Sequence, residues 1–324
     1  MDSSDVVIVG GGPAGSACAW RLASHGISSV VLDSQDFPRT KLCAGWITPK
    51  VLDDLKIVPP AYPHGIVRLD KIRVEYCGRR RKYAWTIPTR QYSIRRYEFD
   101  WWLLRRSGAK VRKQRVARIR VEAGEYVLDD LLRCRFLVGA GGTLCPVRRF
   151  FFEESHPRAH ELQVCALEDE FAFAGRDGLC RLWFKEDGLP GYSWYVPKAD
   201  GWVNIGIGAL AEPLQKSTLS LRELWRSFTT KLSALGLIDG RDRQPGGYTY
   251  YLRSPKTAVQ SGNCFIAGDA VGLATSDLGE GIGPAIESGL RVADAIQSGA
   301  PYSVDRMTRH SWPGFLSGFV RSLI

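Results

Sequence analysis

Asp5-Val6-Val7-Ile8-Val9-Gly10-Gly11-Gly12-Pro13-Ala14-Gly15 is the stretch that decides how this chain is read. Val6 to Val9 is an unbroken β-branched run, the pattern of a parallel strand buried on both faces. The glycines follow at once, and residues 16–24 continue with helical spacing. A second apolar run, 29–32, ends on Asp33. Each part has a physical task. Gly10 permits a tight turn, Gly12 lets a pyrophosphate approach the backbone, and Gly15 lets the helix pack closely on the sheet. The N-terminus of that helix faces the phosphates. Asp33 sits where a carboxylate accepts hydrogen bonds from ribose hydroxyls. A 2′-phosphate would meet like charge there, which disfavours NADP. The fingerprint by itself leaves FAD and NAD both open.

The 324 residues are 44% hydrophobic and 24% charged, ordinary values for a globular protein with a sizeable core. One large domain or two interleaved ones fit that length. No stretch approaches the ~20 apolar residues of a membrane span. The chain enters its first strand directly, so a cytoplasmic protein without a cleavable leader is expected. The eight cysteines are scattered without C-x-x-C spacing, which argues against metal or disulfide frameworks and for reduced core residues. His25, His64 and His310 are isolated, and Pro157 interrupts the pair His156 and His160, so no metal site is expected. The formal charge is +10, with much of the excess in Arg79-Arg80-Arg81-Lys82 and in 105–120. No nucleic-acid module accompanies it, so an anionic membrane surface or a phosphate-bearing lipid is the expected kind of partner, and nucleic acid is not.

Beyond Asp33, a loop at 34–50 carries Arg39, Lys41, Cys43 and Gly45. Residues 66–86 read as a hairpin turning at Cys77-Gly78, and 93–107 as an amphipathic helix with Phe99, Trp102 and Leu103 inward. Short strands are expected at 116–121, 126–128 and 135–138, the last running into Gly139-Ala140-Gly141-Gly142. From 161 to 209 the pattern becomes β-rich, with strands at 162–166, 179–184, 192–197 and 203–208, the pattern of an antiparallel sheet. A helix at 219–235 covers it. A buried strand at 264–267 then leads into Gly268-Asp269, and Gly279-Glu280-Gly281-Ile282-Gly283 opens a helix at 285–296 with free amides at its start. The tail at 311–324 places Phe315, Phe319, Leu323 and their neighbours on one apolar helical face, suited to the protein's own surface, a membrane or a second chain.

Four segments together resemble the flavoprotein superfamily of aromatic hydroxylases and geranylgeranyl reductases: the N-terminal fingerprint, 96–100, 139–148 and Gly268-Asp269. The chain looks most like the geranylgeranyl reductase branch, through Lys41-Leu42-Cys43-Ala44-Gly45, Pro190-Gly191-Tyr192-Ser193-Trp194-Tyr195-Val196-Pro197 and Gly279-Glu280-Gly281-Ile282. It departs from the family pattern at Gly141-Gly142, where Asp-Gly is usual, and at Cys43-Ala44-Gly45, where Cys-Gly-Gly is usual. The resemblance implies an α/β fold: a Rossmann-type FAD-binding domain (1–60, 93–154, 253–300) interleaved with an antiparallel-sheet substrate domain (61–92, 155–252), then a tail at 301–324.

It implies FAD as cofactor, held by Gly10, Gly12, Pro13, Ala14, Gly15, Asp33, Arg39, Cys43, Ala44, Arg96, Gly141, Gly268, Asp269, Gly281 and Ile282. Within that set, Arg96 is expected near the pyrophosphate or ribityl chain and Asp269 on the ribityl hydroxyls. Cys43 is the candidate for chemistry, its thiol over the flavin, with Arg39 and Lys41 able to lower its pKa. Tyr192 and Trp194 are candidates for lining an apolar tunnel. The implied activity is an FAD-dependent reduction of isoprenoid or prenyl-lipid double bonds by hydride from reduced flavin. The alternative is an FAD-dependent monooxygenase of an apolar or aromatic small molecule. No second dinucleotide fingerprint is present, so a nicotinamide or ferredoxin-like electron donor is expected to bind transiently. A hydrophobic or lipid substrate and peripheral membrane contact complete the expected partners.

Overall fold

The computed structural model describes residues 1–78, 81–174, 178–255 and 257–312. In chain order its main elements are β1 (Asp2–Val9), α1 (Pro13–Ser24), β2 (Ser29–Asp33), β3 (Trp46–Ile47), α2 (Pro49–Asp54), β4 (Val67–Cys77), β5 (Lys82–Ser93), α3 (Arg96–Arg106), β6 (Lys110–Lys113), β7 (Ile119–Glu122), β8 (Glu125–Leu128) and β9 (Leu132–Gly139). There follow α4 (Pro146–Phe151), β10 (Gln163–Ala172), β11 (Cys180–Phe184), β12 (Gly191–Pro197), β13 (Trp202–Leu210), α5 (Ala211–Gln215), α6 (Leu221–Ala234), β14 (Gly246–Tyr251), β15 (Gln260–Ser261), β16 (Cys264–Ile266) and α7 (Ile282–Ser298).

Two compact units share the chain. The first takes residues 1–40, 97–159 and 251–309; the second takes 41–96, 160–250 and, of the described residues, 310–312. Several expected boundaries differ: residues 93–96 fall in the second unit, 155–159 and 251–252 in the first, and two larger segments also change place. Residues 41–60 belong to the second unit, because Trp46 and Ile47 of β3 pair with Ser93 and Tyr92 of β5. Residues 301–309 belong to the first, because Tyr302, Val304 and Met307 are buried in its core. The apolar face expected at 315–324 and the cations Arg79 and Arg80 lie outside the described residues.

The first unit is a doubly wound sheet. Its path runs β15-β16-β9-β1-β2-β6, and the bonds β16–β9, β9–β1, β1–β2 and β2–β6 are all parallel. Val6, Val7 and Ile8 are fully buried at its centre, as β-branched residues with neighbours on both faces must be. The chain leaves β1 towards β2 on one side and fills β9 later on the other. Strand order therefore reverses at β1, and ligands of such sheets lie beyond the carboxyl ends at that reversal. The mostly charged β6 and the extension of β9 back to Leu132 were not apparent from the sequence pattern.

The second unit is an eight-stranded sheet in the order β14-β10-β13-β12-β11-β4-β5-β3. The strands expected to be antiparallel, β10 to β13, pair so, and the sheet continues beyond them where β11 pairs with β4 in parallel, Cys180 against Ile72 through Phe184 against Tyr76. The chain arrives at β11 from β10, on the far side of two later strands, and so enters beside β4 in its own direction. Alternation then sorts the side chains. Val203, Ile205, Ile207 and Ala209 of β13, with Trp183 and Tyr195, face α6, which buries Leu224, Trp225, Phe228 and Leu232 against them. Asn204, Gly206 and Gly208 occupy the opposite face.

In the first unit α7 crosses α1 so closely that a Cβ on Gly289 would lie 2.1 Å from the Ala14 carbonyl oxygen. Gly289→Ala is therefore expected to lower the stability of the protein by about 1–3 kcal/mol through overpacking, read as a lower denaturant midpoint.

Candidate functional site

Those of the expected dinucleotide-binding residues that fall in the first unit lie at the carboxyl ends of its parallel strands. Gly10, directly after β1, has φ +113°, and a Cβ there would sit 2.3 Å from the Ala140 carbonyl oxygen and 2.7 Å from Gly141 Cα. The loop after β1 and the loop after β9 touch backbone to backbone. At the end of β2, Asp33 Oδ2 accepts the Gly11 amide at 2.8 Å and Oδ1 accepts the Gln35 amide at 3.0 Å. A carboxylate has about four acceptor sites, so two remain for ribose hydroxyls. Gly12 is the N-cap of α1 with Pro13 next, and no side chain caps that helix start. The Arg39 guanidinium lies 3.5 Å from where a Gly12 Cβ would be and 3.6 Å from Asp100 Oδ2. Asp100 is fully buried and holds the cation beside the loop, where a phosphate would meet it.

After β16, Gly268 donates its amide to Ser288 Oγ at 2.9 Å, and Asp269 emerges half-buried. A Cβ on Gly281 would come within 3.4 Å of Asp269 Oδ1, so these two, with Ile282 adjacent, share one corner. Arg158 fixes it. It donates to the Thr143 carbonyl at 2.6 Å and to those of Asp269 and Ala270 at 2.9 and 3.2 Å, binding the loop after β9 to the turn after β16. In the sequence, Arg158 carries no signal of this role, standing between His156 and His160 and after Pro157. One detail corrects an expectation: the amide of Gly283 is not free, because Glu280 Oε1 accepts it at 2.7 Å. A close-approach backbone loop, a carboxylate with acceptor sites to spare, an arginine beside that loop and a second acid after β16 fit the chemistry of FAD.

Cys43, Ala44, Arg96, Tyr192 and Trp194 belong to the second unit. Tyr192 and Trp194 lie on the sheet face opposite α6, their ring centroids 5.7 Å apart, and Phe184 stands 5.2 Å from Tyr192. A Cβ on Gly206 would fall 2.1 Å from Trp194 Cζ2, so the indole lies over the space that glycine leaves. Trp194 Nε1 donates to Asn204 Oδ1 at 2.8 Å, and Asn204 Nδ2 donates to the Cys43 carbonyl at 3.3 Å. Lys198 Nζ donates to the carbonyls of Ala44 and, at 2.9 Å, Ile94. The aromatic wall and the cysteine loop are thus one hydrogen-bonded assembly.

Cys43 Sγ accepts the Gly45 amide at 3.4 Å. Burial pushes the thiol above its ordinary range; Arg96 and Lys41 pull it down, and Glu168 pushes it further up. The expected activation by Arg39 and Lys41 is corrected: desolvation outweighs Lys41, and Arg39 is engaged with Asp100. Cys43 is therefore a thiol at neutral pH. Arg96 is buried, and its charge acts on both Cys43 and Glu168.

Glu168 is the residue that the sequence pattern did not announce. It is 4% exposed on β10, and its Oε1 has no hydrogen-bond partner among the described residues. Burial pushes its pKa from 4.5 up to about 8 and Glu170 adds to the rise, against Lys41, Lys198 and Arg96, which lower it. The one available signal was its place two residues after Ala166 on the inward face of an alternating strand. Lys41 in turn lies 2.8 Å from the Tyr248 ring centroid, and Arg95 pairs with Glu170 at 3.2 Å.

Among the described residues no three His, Cys, Asp or Glu side chains come together to hold a metal, and no helix is long and apolar enough to cross a membrane.

Residues 5–102 match the family described as FAD dependent oxidoreductase (DAO). The chain is 27% identical to a menaquinone reductase of Mycobacterium tuberculosis, over 98% of its own length and 80% of the relative's. It is also 27% identical to digeranylgeranylglycerophospholipid reductase 2 of Methanosphaera stadtmanae, over 92% of its length and 80% of the relative's. A geranylgeranyl bacteriochlorophyll reductase-like protein of Thermoplasma acidophilum has the same fold, with a TM-score of 0.78 at 21% identity, covering 100% of this chain and 83% of that one. A flavin-dependent brominase reaches 0.69 at 18% identity, covering 98% and 83%.

Asp33→Asn is expected to weaken FAD retention about tenfold or more, the scale of a lost charge-assisted hydrogen bond, measured by the visible absorbance that survives gel filtration. Glu168 supplies a pH prediction. Its folded pKa lies above its unfolded value, so its contribution to stability is present below about pH 4.5 and is lost as pH rises to about 8. Between those limits wild type should lose stability relative to Glu168→Gln by roughly 1.4 kcal/mol per pH unit, read by denaturant unfolding at several pH values.

Proposed function

We propose that this FAD-dependent oxidoreductase saturates carbon–carbon double bonds of an isoprenoid or prenyl lipid. The observation that carries the proposal is the sheet face where Phe184, Tyr192 and Trp194 form an aromatic wall beside a few polar groups, Asn204, Cys43 and Glu168. A prenyl chain offers apolar surface and isolated alkenes, and suits a lining of aromatics with few polar contacts. The substrates named for two relatives support the same class. A menaquinone and a digeranylgeranyl phospholipid differ in their head groups but share a polyprenyl chain.

Reduced FAD, when bound, supplies hydride. The chain's own residues do the rest. The Gly10–Gly15 loop, Asp33 and Arg39 hold the adenosine diphosphate half, and Asp269, Gly281 and Ile282 hold the ribityl and ring side. Trp194, locked by Asn204 and laid over Gly206, gives the alkene a rigid surface and excludes water. The Cys43 thiol stays protonated against that wall, which leaves it unsuited to nucleophilic attack but able to share a proton. A nicotinamide or ferredoxin-like donor meets the protein transiently. Tyr83 and Trp85, exposed and stacked 5.8 Å apart beside exposed Lys82 on β5, offer the amphipathic aromatic surface that a lipid interface attracts.

The test is anaerobic. Purified protein with chemically reduced FAD, mixed with a geranylgeranyl-bearing phospholipid, is expected to yield product heavier by two hydrogens per bond reduced. Product that appears only with oxygen, and carries an oxygen atom, would overturn the proposal in favour of a monooxygenase. Trp194→Ala should lower kcat/KM about tenfold, the effect of losing an aromatic contact worth ~1.4 kcal/mol.

A further inference from the structure

Glu168 has a defined neighbourhood that neither cofactor retention nor the aromatic wall requires. It pairs in register with Gly206 on β13, and Gly206 pairs on its other side with Trp194 on β12. The three residues form one row across the sheet, on the face turned away from α6. Because Gly206 has no side chain, the Trp194 ring fills the middle of that row. The charged groups that act most strongly on the Glu168 carboxyl come from several segments around it. They are Lys41 from the cysteine loop, Lys198 from the end of β12, Arg96 at the start of α3 and Glu170 from β10 itself, with Cys43 coupled to it in turn. A carboxyl buried to 4% exposure, with one oxygen lacking a hydrogen-bond partner among the described residues, is costly, and an apolar residue would pack there at no such cost.

We propose that Glu168 is the proton donor for alkene saturation, an inference that rests on the reading of the preceding subsection. The alkene's π pair would form a C–H bond with the Glu168 proton, and the balancing hydride on the adjacent carbon is the chemistry that reduced FAD would supply when bound. The electron pair of the broken O–H bond stays on the carboxylate, which recovers its proton from water. Two features suit the group to this task. It holds its proton at neutral pH, since its pKa is pushed up to about 8. Once the proton has left, Lys41, Lys198 and Arg96 stabilise the anion, so burial does not forbid the charged state.

The experiment compares wild type, Glu168→Gln, Glu168→Asp and Cys43→Ser as full chains loaded with FAD, on the geranylgeranyl phospholipid from pH 5 to 9. Wild-type kcat is expected to fall above about pH 8 as the acid ionises. Glu168→Gln should keep the bound-flavin spectrum and lipid affinity while losing about a hundredfold or more in kcat, with no remaining alkaline limb of that origin. Glu168→Asp retains an acid, so it should recover part of the rate and show a shifted limb, and it serves if the glutamine variant does not fold. Infrared difference spectra of the wild type should show a carboxyl C=O band lost near that pH and absent from Glu168→Gln, independently of turnover. A Glu168→Gln variant that matches wild type in rate and pH profile overturns this inference alone. So does an alkaline limb that stays in Glu168→Gln and moves in Cys43→Ser, because the thiol is then the donor. Wild type that saturates no prenyl lipid overturns the functional reading as well.

Discussion

The fold of the first unit depends on how closely two pieces of backbone approach. The loop after β1 and the loop after β9 meet at Gly10 and Ala140, at a separation that no Cβ tolerates. That contact exists because β1 and β9 are hydrogen-bonded neighbours in register to their last residues, Val9 beside Gly139. The register is enforced in turn by the fully buried side chains of Val6, Val7, Ile8, Leu137 and Val138, each contributing roughly 1.5–3 kcal/mol by burial. The apolar centre of the sheet therefore sets the edge of the cofactor cradle. Arg158 performs the same service from outside, tying the loop after β9 to the turn that carries Asp269.

The second unit solves a different problem. Its sheet has one face closed by α6 and another that carries polar groups deep in the protein, and such groups must be partnered. Asn204 uses both ends of its amide, one on Trp194 and one on the cysteine loop, and Lys198 satisfies two carbonyls. The same network that removes unsatisfied donors also fixes the aromatic wall. Glu168 stands out against this order, and its chemical meaning comes from that contrast.

The first unit was largely legible in the sequence because its signals are local. A β-branched run, a glycine turn, a helix and a terminal acid follow one another within residues 5–33, and Gly268-Asp269 repeats the logic after a single buried strand. The second was legible as strands and turns but not as an arrangement. Alternation put Tyr192 and Trp194 on one face, but nothing near Val67 indicates that β11 will lie beside it in parallel. The placement of residues 41–60 failed for the same reason: it depends on a two-residue pairing with the far end of β5. The electrostatics of Cys43 were read from neighbours in sequence, Arg39 and Lys41, whereas burial and groups from β10 and α3 decide them. Glu168 was invisible because its character comes from Gly206, Lys198 and Arg96, each from a different part of the chain.

The interleaving of the two units also has a consequence for biosynthesis. All strands of the second sheet, β3 to β5 and β10 to β14, lie between Trp46 and Tyr251. β16, which flanks β9, and α7, which covers α1, come only after residue 263. As the polypeptide leaves the ribosome, the inserted unit has all its strands before β16 and α7 exist, so β9 and α1 wait for partners still untranslated. The dinucleotide unit is therefore completed after the inserted one, once the residues beyond 263 have been made.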